Sequence, residues 1–340
     1  MTMSLYRPWG LLHWVLERCP DVEWSLFGCL GTEERSLAAL SITNSVGCLA
    51  SKRLLRISDN SFGQYLKLRE ERLLARKNEF EKMGATESDI EEYSLTKASH
   101  HDILTEIEEF IRDSGPNIIL DVTSLPQRFF FPILKTLLLS EAHTVRNLVV
   151  TYAVPESYAP GRLTRNFNDW GTLPLFLGSY TQKPPEMMIV GVGFEALGLQ
   201  DRVDTGEAGL HLNLLLPFPA PPPAFKRSWE LARKLQKGRR PGSVTTYRTD
   251  AKEVSDAFER ILTLTDSGKH GAILAPFGPK PISVAMCIYA TLTESPVFYT
   301  QPTVYHPDYS TGISEVNGQL EVYAYCLRIN GKDFYRLPNG

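Results

Sequence analysis

Two stretches of the sequence share one unusual build, in which a short apolar run leads through a proline-containing turn into an apolar helix pattern. They span residues 117–138 (NIILDVTSLPQRFFFPILKTLL) and 272–292 (AILAPFGPKPISVAMCIYATL). A continuous apolar run of this length is typical of a strand that is buried on both faces of a parallel sheet. Each stretch therefore predicts a buried strand that enters a helix, as in α/β proteins.

The order of the patterns around these stretches is the same in both halves of the chain. Each half begins with a strand that runs into glycines and continues with a second strand, a charged helix, a third strand and an amphipathic helix. Tyr93 and Asp121 lie 28 positions apart, and so do Tyr247 and Ala275. The repeated order predicts an α/β fold of two tandem Rossmann-like domains with parallel sheets, related by internal duplication. Chance resemblance between two α/β units is the alternative.

Turn signals predict the domain boundary and the smaller elements. The Pro-containing segment TQKPPE favours a linker, which gives a first domain at residues 1–182 and a second at residues 183–340. Small antiparallel β appendices are expected after the last parallel strand of each half. The Asn-Gly pairs at 317–318 and 330–331 separate alternating strand patterns, as in tight hairpins. We therefore expect a C-terminal β-meander in the second domain.

The composition excludes several classes of protein. A net charge of −3 over 340 residues gives no overall attraction to nucleic acids or anionic membranes. The five cysteines are scattered without a C-x-x-C pair, so neither a metal site nor a disulfide framework is predicted. No stretch approaches the roughly 20 apolar residues that span a bilayer, and the N-terminus does not fit a secretory signal. We expect a cytoplasmic protein without membrane contact, and the sequence predicts no particular cofactor.

The turn in the second stretch carries the clearest candidate for a ligand site. Ligands of open parallel sheets bind at the carboxyl ends of strands, near the point where the strand order reverses. Gly278 permits close approach of the backbone, and Pro281 suits the first turn of a helix. Lys280 places a cation beside a helix N-terminus, which itself favours anions. The turn predicts binding of a phosphate or carboxylate; the alternative is a rigid turn with a solvent-exposed lysine.

Asp121, Thr123, Ser124 and Arg128 form the matching set in the first half. Either hydroxyl can cap the following helix and contact a ligand. Asp121 at a strand end can accept a ribose hydroxyl, hold a metal or act as a catalytic base. Its alternative role is a hydrogen-bonded strand-end residue that fixes the turn.

Glycines after the first strand of each half, notably Gly31 and Gly193, are further candidates for ligand binding. Their spacing does not give G-x-G-x-x-G with the expected acidic residue, so a dinucleotide cofactor is not favoured. A set of aromatic residues follows the last strands and can either stack on a base or pack in an interface: Tyr152, Tyr158, Tyr299, Tyr305 and His306.

Residues 226–240, from Lys226 to Arg240, carry seven basic residues and one acidic residue. Lys226, Arg233 and Lys237 fall near one face of a predicted helix. A solvated helix face is the favoured interpretation, and a patch for nucleic acid or an acidic partner is the alternative.

The strand, Gly-x-Lys turn and helix around residue 278 resemble the ligand-binding face of CARF-type domains. The pattern is also similar to Rossmann-like proteins encoded in bacterial anti-phage defence loci. In CARF domains the strand-end loops bind cyclic oligonucleotides, usually across a two-fold axis. The resemblance implies ligand contacts at Gly278 and Lys280, with Thr123 and Ser124 in the companion loop.

Three functions fit these features. In the first, a nucleotide or phosphorylated ligand sits between the halves, and the protein acts as a sensor that signals to a partner protein. In the second, the protein is a nucleotide-processing hydrolase with Asp121 as base or nucleophile and Lys280 steadying the anion. In the third, it is a scaffold subunit that uses Trp9, Trp14 or the basic segment as contacts. The first is favoured because the sequence has no strong catalytic constellation.

Overall fold

A computed structural model describes residues 7–178, 184–195, 199, 209–219, 224–237 and 239–338. The chain forms two compact units, of which the first comprises Met1–Asn166 and Thr303–Tyr335 and the second comprises Phe167–Pro302 and Arg336–Gly340. Each unit is built around one sheet whose central strands are parallel. The predicted boundary at 182/183 lies outside the described residues, and the units change over at residues 166 and 167.

The elements alternate between strand and helix through most of the chain. The strands are β1 (Trp9–Leu11), β2 (Trp24–Cys29), β3 (Leu49–Ser58), β4 (Ile90–Ser94), β5 (Asn117–Asp121), β6 (Asn147–Ala153), β7 (Ser157–Tyr158), β8 (Thr164–Phe167), β9 (Gly171–Thr172), β10 (Pro185–Gly191), β11 (His211–Phe218), β12 (Val244–Asp250), β13 (Gly271–Pro276), β14 (Phe298–Tyr299), β15 (Pro302–Tyr305), β16 (Ser310–Thr311), β17 (Glu315–Val316), β18 (Gln319–Leu320), β19 (Val322–Ile329) and β20 (Lys332–Asp333). The helices are α1 (Leu12–Glu17), α2 (Ala38–Ser45), α3 (Gln64–Lys82), α4 (His100–Asp113), α5 (Gln127–Leu139), α6 (Ala224–Gln236), α7 (Val254–Leu264) and α8 (Lys280–Thr293).

The first sheet has the strand order β1-β19-β6-β5-β2-β3-β4, with β20 pairing to β19. The strands from β6 to β4 are parallel, whereas β19 and β1 are antiparallel to their neighbours. The chain moves outward from β2 through β3 to β4 and then returns to β5 on the other side of β2. The strand order therefore reverses between β2 and β5.

The second sheet has the order β12-β11-β10-β13, and all of its strands are parallel. Here the chain moves outward from β10 to β12 and returns to β13, so the reversal lies between β10 and β13. The order β13-β10-β11-β12 repeats the order β5-β2-β3-β4 of the first sheet. The prediction of an α/β fold with two Rossmann-like parallel-sheet modules is confirmed, and the shared strand order supports the hypothesis of duplication.

Burial explains why these sequences form these elements. All residues of β2, β6 and β13 are buried, in agreement with their apolar sequences. Helix α8 is also buried along most of its length, from Pro281 to Ala290, which fits its lack of a polar face. Among the described residues, no helix is both long enough and apolar enough to pass through a bilayer.

Both predicted Asn-Gly turns are confirmed. Asn317 and Gly318 have φ angles of 53° and 76° and join β17 to β18, while Asn330 and Gly331 have φ angles of 50° and 76° and join β19 to β20. Positive φ at both central residues is the geometry of a tight hairpin turn, which asparagine and glycine tolerate best.

The expected place of the C-terminal meander was wrong. Strand β19 pairs with β6 along its length and with β1 on its other edge, so it belongs to the first sheet and not to the second. The physical reason is that β6 is fully buried and needs a partner for the backbone groups of its outer edge. The expected small antiparallel β appendices are confirmed. Their segments pair with each other, since β7 pairs with β16, β8 with β15 and β9 with β14.

Arg328 fixes β19 to the end of helix α5. Its buried guanidinium donates hydrogen bonds to the carbonyl oxygens of Leu138 (2.8 Å), Ser140 (2.8 Å) and Val145 (3.0 Å). Its Nε donates to a carboxylate oxygen of Asp333 at 2.6 Å. One side chain thus supplies hydrogen bonds to carbonyls at and beyond the C-terminus of α5, where helices leave such groups unsatisfied.

Replacing Arg328 should destabilise the protein strongly. Arg328→Ala leaves several buried carbonyls without their donor, so we expect the free energy of unfolding to fall by about 3 kcal/mol, measured by chemical denaturation. The control is Arg146→Ala, which removes an exposed arginine and should change stability by less than about 0.5 kcal/mol. Equal losses for the two variants would contradict this role.

Candidate functional site

The strand order places candidate sites at the carboxyl edge of each sheet, where the order reverses. In the first unit this edge is formed by the loops after β2 and β5, and in the second unit by the loops after β10 and β13. Most of the predicted residues lie on these loops or at the ends of the elements they join: Gly31, Asp121, Thr123 and Ser124 in the first unit, and Gly193, Gly278 and Lys280 in the second.

Asp121 is buried at the end of β5 and is 2% exposed. Its Oδ1 accepts hydrogen bonds from the backbone N–H of Thr123 (3.2 Å), the hydroxyl of Thr123 (2.5 Å) and the hydroxyl of Thr151 (3.1 Å). The Thr123 hydroxyl oxygen also accepts from the backbone N–H of Ala153 at 2.9 Å. Asp121 and Thr123 therefore fix the turn after β5 against the end of β6.

The environment of Asp121 changes its proton affinity. Burial raises the pKa of its carboxyl from 3.8 to about 6, against the lowering effects of the bonds from Thr123 and Thr151 and of the positive charge of Arg35. In the described part of the chain, Oδ1 accepts all three of these hydrogen bonds and Oδ2 accepts none of them. Asp121 thus combines a pKa near neutrality with one carboxylate oxygen that these bonds do not use, and its role as a catalytic base stays a prediction.

Arg35 is a buried residue of this edge that the sequence analysis missed. Its Nη1 donates to the carbonyl of Ala153 (3.0 Å), its Nε donates to the hydroxyl of Ser310 (2.9 Å), and its Nη2 donates to Glu33 Oε2 (3.0 Å). Glu33 also accepts a hydrogen bond from Ser310. The Gly-Thr-Glu-Glu-Arg sequence after β2 was the only available signal, because Ser310 is remote along the chain.

The segment of residues 303–312 crosses this edge of the first sheet. The backbone N–H of Tyr305 donates to Asp59 after β3 (3.1 Å), and the backbone N–H of Gly312 donates to Glu34 after β2 (2.9 Å). Together with the contacts of Ser310, these bonds place protein groups over the loops after β2 and β3. The segment therefore covers part of the first edge.

The other predicted residues of the first unit also make contacts within the fold. The Ser124 hydroxyl donates to the carbonyl of Cys29 at 3.2 Å, and a Cβ at Gly31 would lie 3.0 Å from that of Ser124. Arg128 donates to the carbonyl of Ala98 at 2.8 Å. These contacts support the positions of the loops; contact with a ligand stays a prediction.

The glycines of the second edge allow two loops to pack backbone against backbone. A Cβ at Gly193 would lie 1.8 Å from the carbonyl oxygen of Phe277, and one at Gly278 would lie 3.1 Å from the carbonyl carbon of Gly191. Only glycine permits this approach at Gly193. The loop after β10 is thus in contact with the turn that opens α8.

Lys280 is the first residue of α8, directly after Pro279, and Pro281 lies in the first turn. No side chain of the described residues caps this helix. The N-terminus of a helix and its dipole attract anions, and Lys280 adds a positive charge at the same end.

Four aromatic residues adjoin this turn. Trp170 stacks on Phe277 (ring centroids 6.0 Å apart, planes at 12°) and on Phe298 (5.5 Å, 17°). Tyr299 lies 5.2 Å from Phe277. All four rings are partly exposed, and Phe277 immediately precedes Gly278. Of these residues the sequence analysis had identified only Tyr299, because nothing in the Asn-Asp-Trp-Gly segment connects Trp170 with this turn.

Comparisons with known proteins identify no family. No family model matches the chain, and neither does any curated protein. Among solved structures, the chain is similar to a universal stress protein from Archaeoglobus fulgidus DSM 4304, with 10% sequence identity and a TM-score of 0.24 over 82% of this chain and 96% of that chain. A TM-score this low carries no conclusion about fold or function.

The raised pKa of Asp121 predicts a pH dependence of stability. Because its pKa is about 6 in the folded protein and near 3.8 ordinarily, the folded state binds the proton more tightly than the unfolded chain. The stability from this proton is fully present below about pH 4 and is lost as the pH rises through about 6. Over that range Asp121→Asn should gain about 3 kcal/mol relative to the native protein, measured by denaturation at pH 4 to 7. Parallel stability profiles for the two proteins would exclude the shift.

Proposed function

We propose that the protein binds a nucleotide or another phosphorylated small molecule at the carboxyl edge of the second sheet. The observation that carries this proposal is the stack of Trp170, Phe277 and Phe298 beside the N-terminus of α8. A base can stack on these rings, since every base offers a π-face. Its phosphate can then be bound by Lys280 and the amides at the start of α8.

The second edge is preferred over the first for a physical reason. The polar groups of the first edge, including Asp121, Thr123 and Arg35, are buried and bonded to other parts of the protein. The second edge instead combines partly exposed rings with a cation and a helix N-terminus. These are groups for binding and orienting a ligand, which supports a sensor over an enzyme.

The proposal extends to signalling. As a sensor, the protein would pass the presence of its ligand to a partner protein. The resemblance to CARF-type domains makes a cyclic oligoadenylate a second probe beside ATP, and on that resemblance we propose a role for the sensor in anti-phage defence.

Removing the charge of Lys280 should weaken ligand binding. For Lys280→Ala we expect a loss of affinity of about 10- to 100-fold, since a hydrogen bond to a charged group contributes about 1.5–3 kcal/mol. Small molecules released by denaturing the purified protein are identified by mass spectrometry, and titration calorimetry with ATP and a cyclic oligoadenylate then gives the affinities.

The matched control for this experiment is Lys269→Ala. Lys269 is exposed and lies just before β13, at the amino end of the strand that Lys280 follows at its carboxyl end. Lys269→Ala removes the same charge at the opposite edge of the sheet and should change the ligand affinity less than twofold. The proposal fails if wild-type protein binds no phosphorylated compound, or if the two variants lose affinity equally.

A second candidate function is nucleotide hydrolysis in the first unit, with Asp121 as the base. The observation that favours it is the buried carboxyl of Asp121, whose Oδ2 accepts none of the three hydrogen bonds described above. Burial also raises the pKa of this carboxyl to about 6, which suits a general base at neutral pH.

Under this second function, Asp121→Asn should reduce turnover by at least about 100-fold and leave nucleotide affinity largely intact. Turnover is measured as product formation from ATP and from a cyclic oligoadenylate by mass spectrometry. Asp113→Asn, which changes an exposed aspartate, serves as the control and should retain wild-type activity. Equal turnover of the wild type and Asp121→Asn would exclude Asp121 as the base.

A further inference from the structure

Helix α6 presents a row of cations and one indole on its exposed face. Its opposite face is buried through Ser228, Ala232 and Leu235, and the last two belong to the core of the second sheet. The exposed face carries, in chain order, Lys226, Trp229, Arg233 and Lys237, the last directly after the helix. Residues three or four positions apart lie above one another on a helix, so these four side chains form one stripe about 16 Å long.

Trp229 is held flat at the surface by its aromatic neighbours. Its side chain is 44% exposed and stacks on Phe225, with ring centroids 6.3 Å apart and planes at 10°. Phe225 in turn contacts Phe218 edge-on at 6.5 Å, and the Arg248 guanidinium lies 5.0 Å over the Phe218 ring. An indole supported on one side by a parallel ring is a platform for stacking a further planar group.

The stripe on the C-terminal side of Trp229 is rich in positive charge. Glu230 is the single acidic residue between positions 226 and 240, and it lies 4.0 Å from Lys226. Among the described residues, neither Arg233 nor Lys237 forms an ion pair with a carboxylate. A polyanion is therefore favoured along the stripe from Trp229 toward residue 240.

We propose that this face of α6 binds single-stranded nucleic acid, with a base stacked on Trp229 and phosphates paired to Arg233 and Lys237. Alternating cations and a flat ring match the alternating phosphates and bases of a single strand. A duplex does not fit, because its bases are stacked on each other. An anionic membrane is disfavoured, because an interfacial helix inserts its apolar face into the lipid, whereas the apolar face of α6 is packed on the second sheet.

The test measures binding of a fluorescein-labelled 15-mer of oligo(dT) by anisotropy at several NaCl concentrations. Trp229→Ala should weaken binding about five- to hundredfold at every salt concentration without changing the salt dependence. The Arg233→Ala/Lys237→Ala double variant should instead reduce the slope of log K against log[NaCl] by about 1.4, since each phosphate contact in a single strand contributes about 0.7.

Two further variants make the result specific. Trp14→Ala removes a tryptophan from the first unit that is 43% exposed and should bind as the wild type does. Trp229→Phe keeps an aromatic ring on the supporting Phe225 and should lose less affinity than Trp229→Ala, which separates stacking from misfolding. Lys269→Ala, which removes an exposed lysine outside the stripe, should bind the oligonucleotide normally.

Three outcomes would overturn the proposal. They are no binding of oligo(dT) by wild-type protein at 50 mM NaCl, an equal loss for Trp14→Ala and Trp229→Ala, and preferential binding of vesicles of phosphatidylserine and phosphatidylcholine or of a duplex of the same length.

Discussion

Strands that are paired on both edges and buried toward their carboxyl ends govern the architecture of this protein. β2 and β10 each have parallel neighbours on both sides, so the chain must leave on one side and return on the other. Where the strand order reverses, the two helical connections diverge and leave the carboxyl edge of the sheet open. The polar and aromatic residues of the two strand-end candidate sites lie at these reversals.

The two edges share a strand order but have diverged in their chemistry. In the first unit, buried charges and hydroxyls around Asp121 and Arg35 bind one another and the segment that crosses them. In the second, glycines bring two loops into contact, and aromatic rings lie beside the start of α8. If the modules arose by duplication, the polar groups of the first edge now stabilise the fold, whereas the second edge has groups that suit a ligand. That both edges face one cleft stays a prediction.

Local patterns in the sequence were sufficient for most of the fold. The amphipathic helix predicted after the third strand of the first half forms at His100–Asp113, because Ser99 and Asp102 form a capping box and the apolar residues keep a regular helical spacing. The Asn-Gly hairpins followed from the positive φ angles that such turns need. Helix α2 and strand β1 were missed, since α2 lacks a marked amphipathic pattern and β1 has only three residues.

What the sequence did not provide was long-range pairing. The contact of Arg35 with Ser310 spans 275 positions, and no local spacing encodes it. Glycine is needed at position 193 because its backbone packs against the carbonyl of Phe277. The aromatic stack beside Gly278 likewise needs Trp170, which is distant in the sequence. The sequence therefore identified the loops that form the candidate sites but not the partners that determine which residues remain accessible.

The late position of β19 has a consequence for biosynthesis. Its neighbour β6 ends at Ala153, whereas β19 begins at Val322, so the outer edge of β6 has no native partner while the intervening chain is translated. During that interval an apolar strand with open backbone groups is available to other nascent chains. The second module, whose parallel strands all precede β19, can acquire its sheet first, so the sheet of the N-terminal module is the later of the two to be completed.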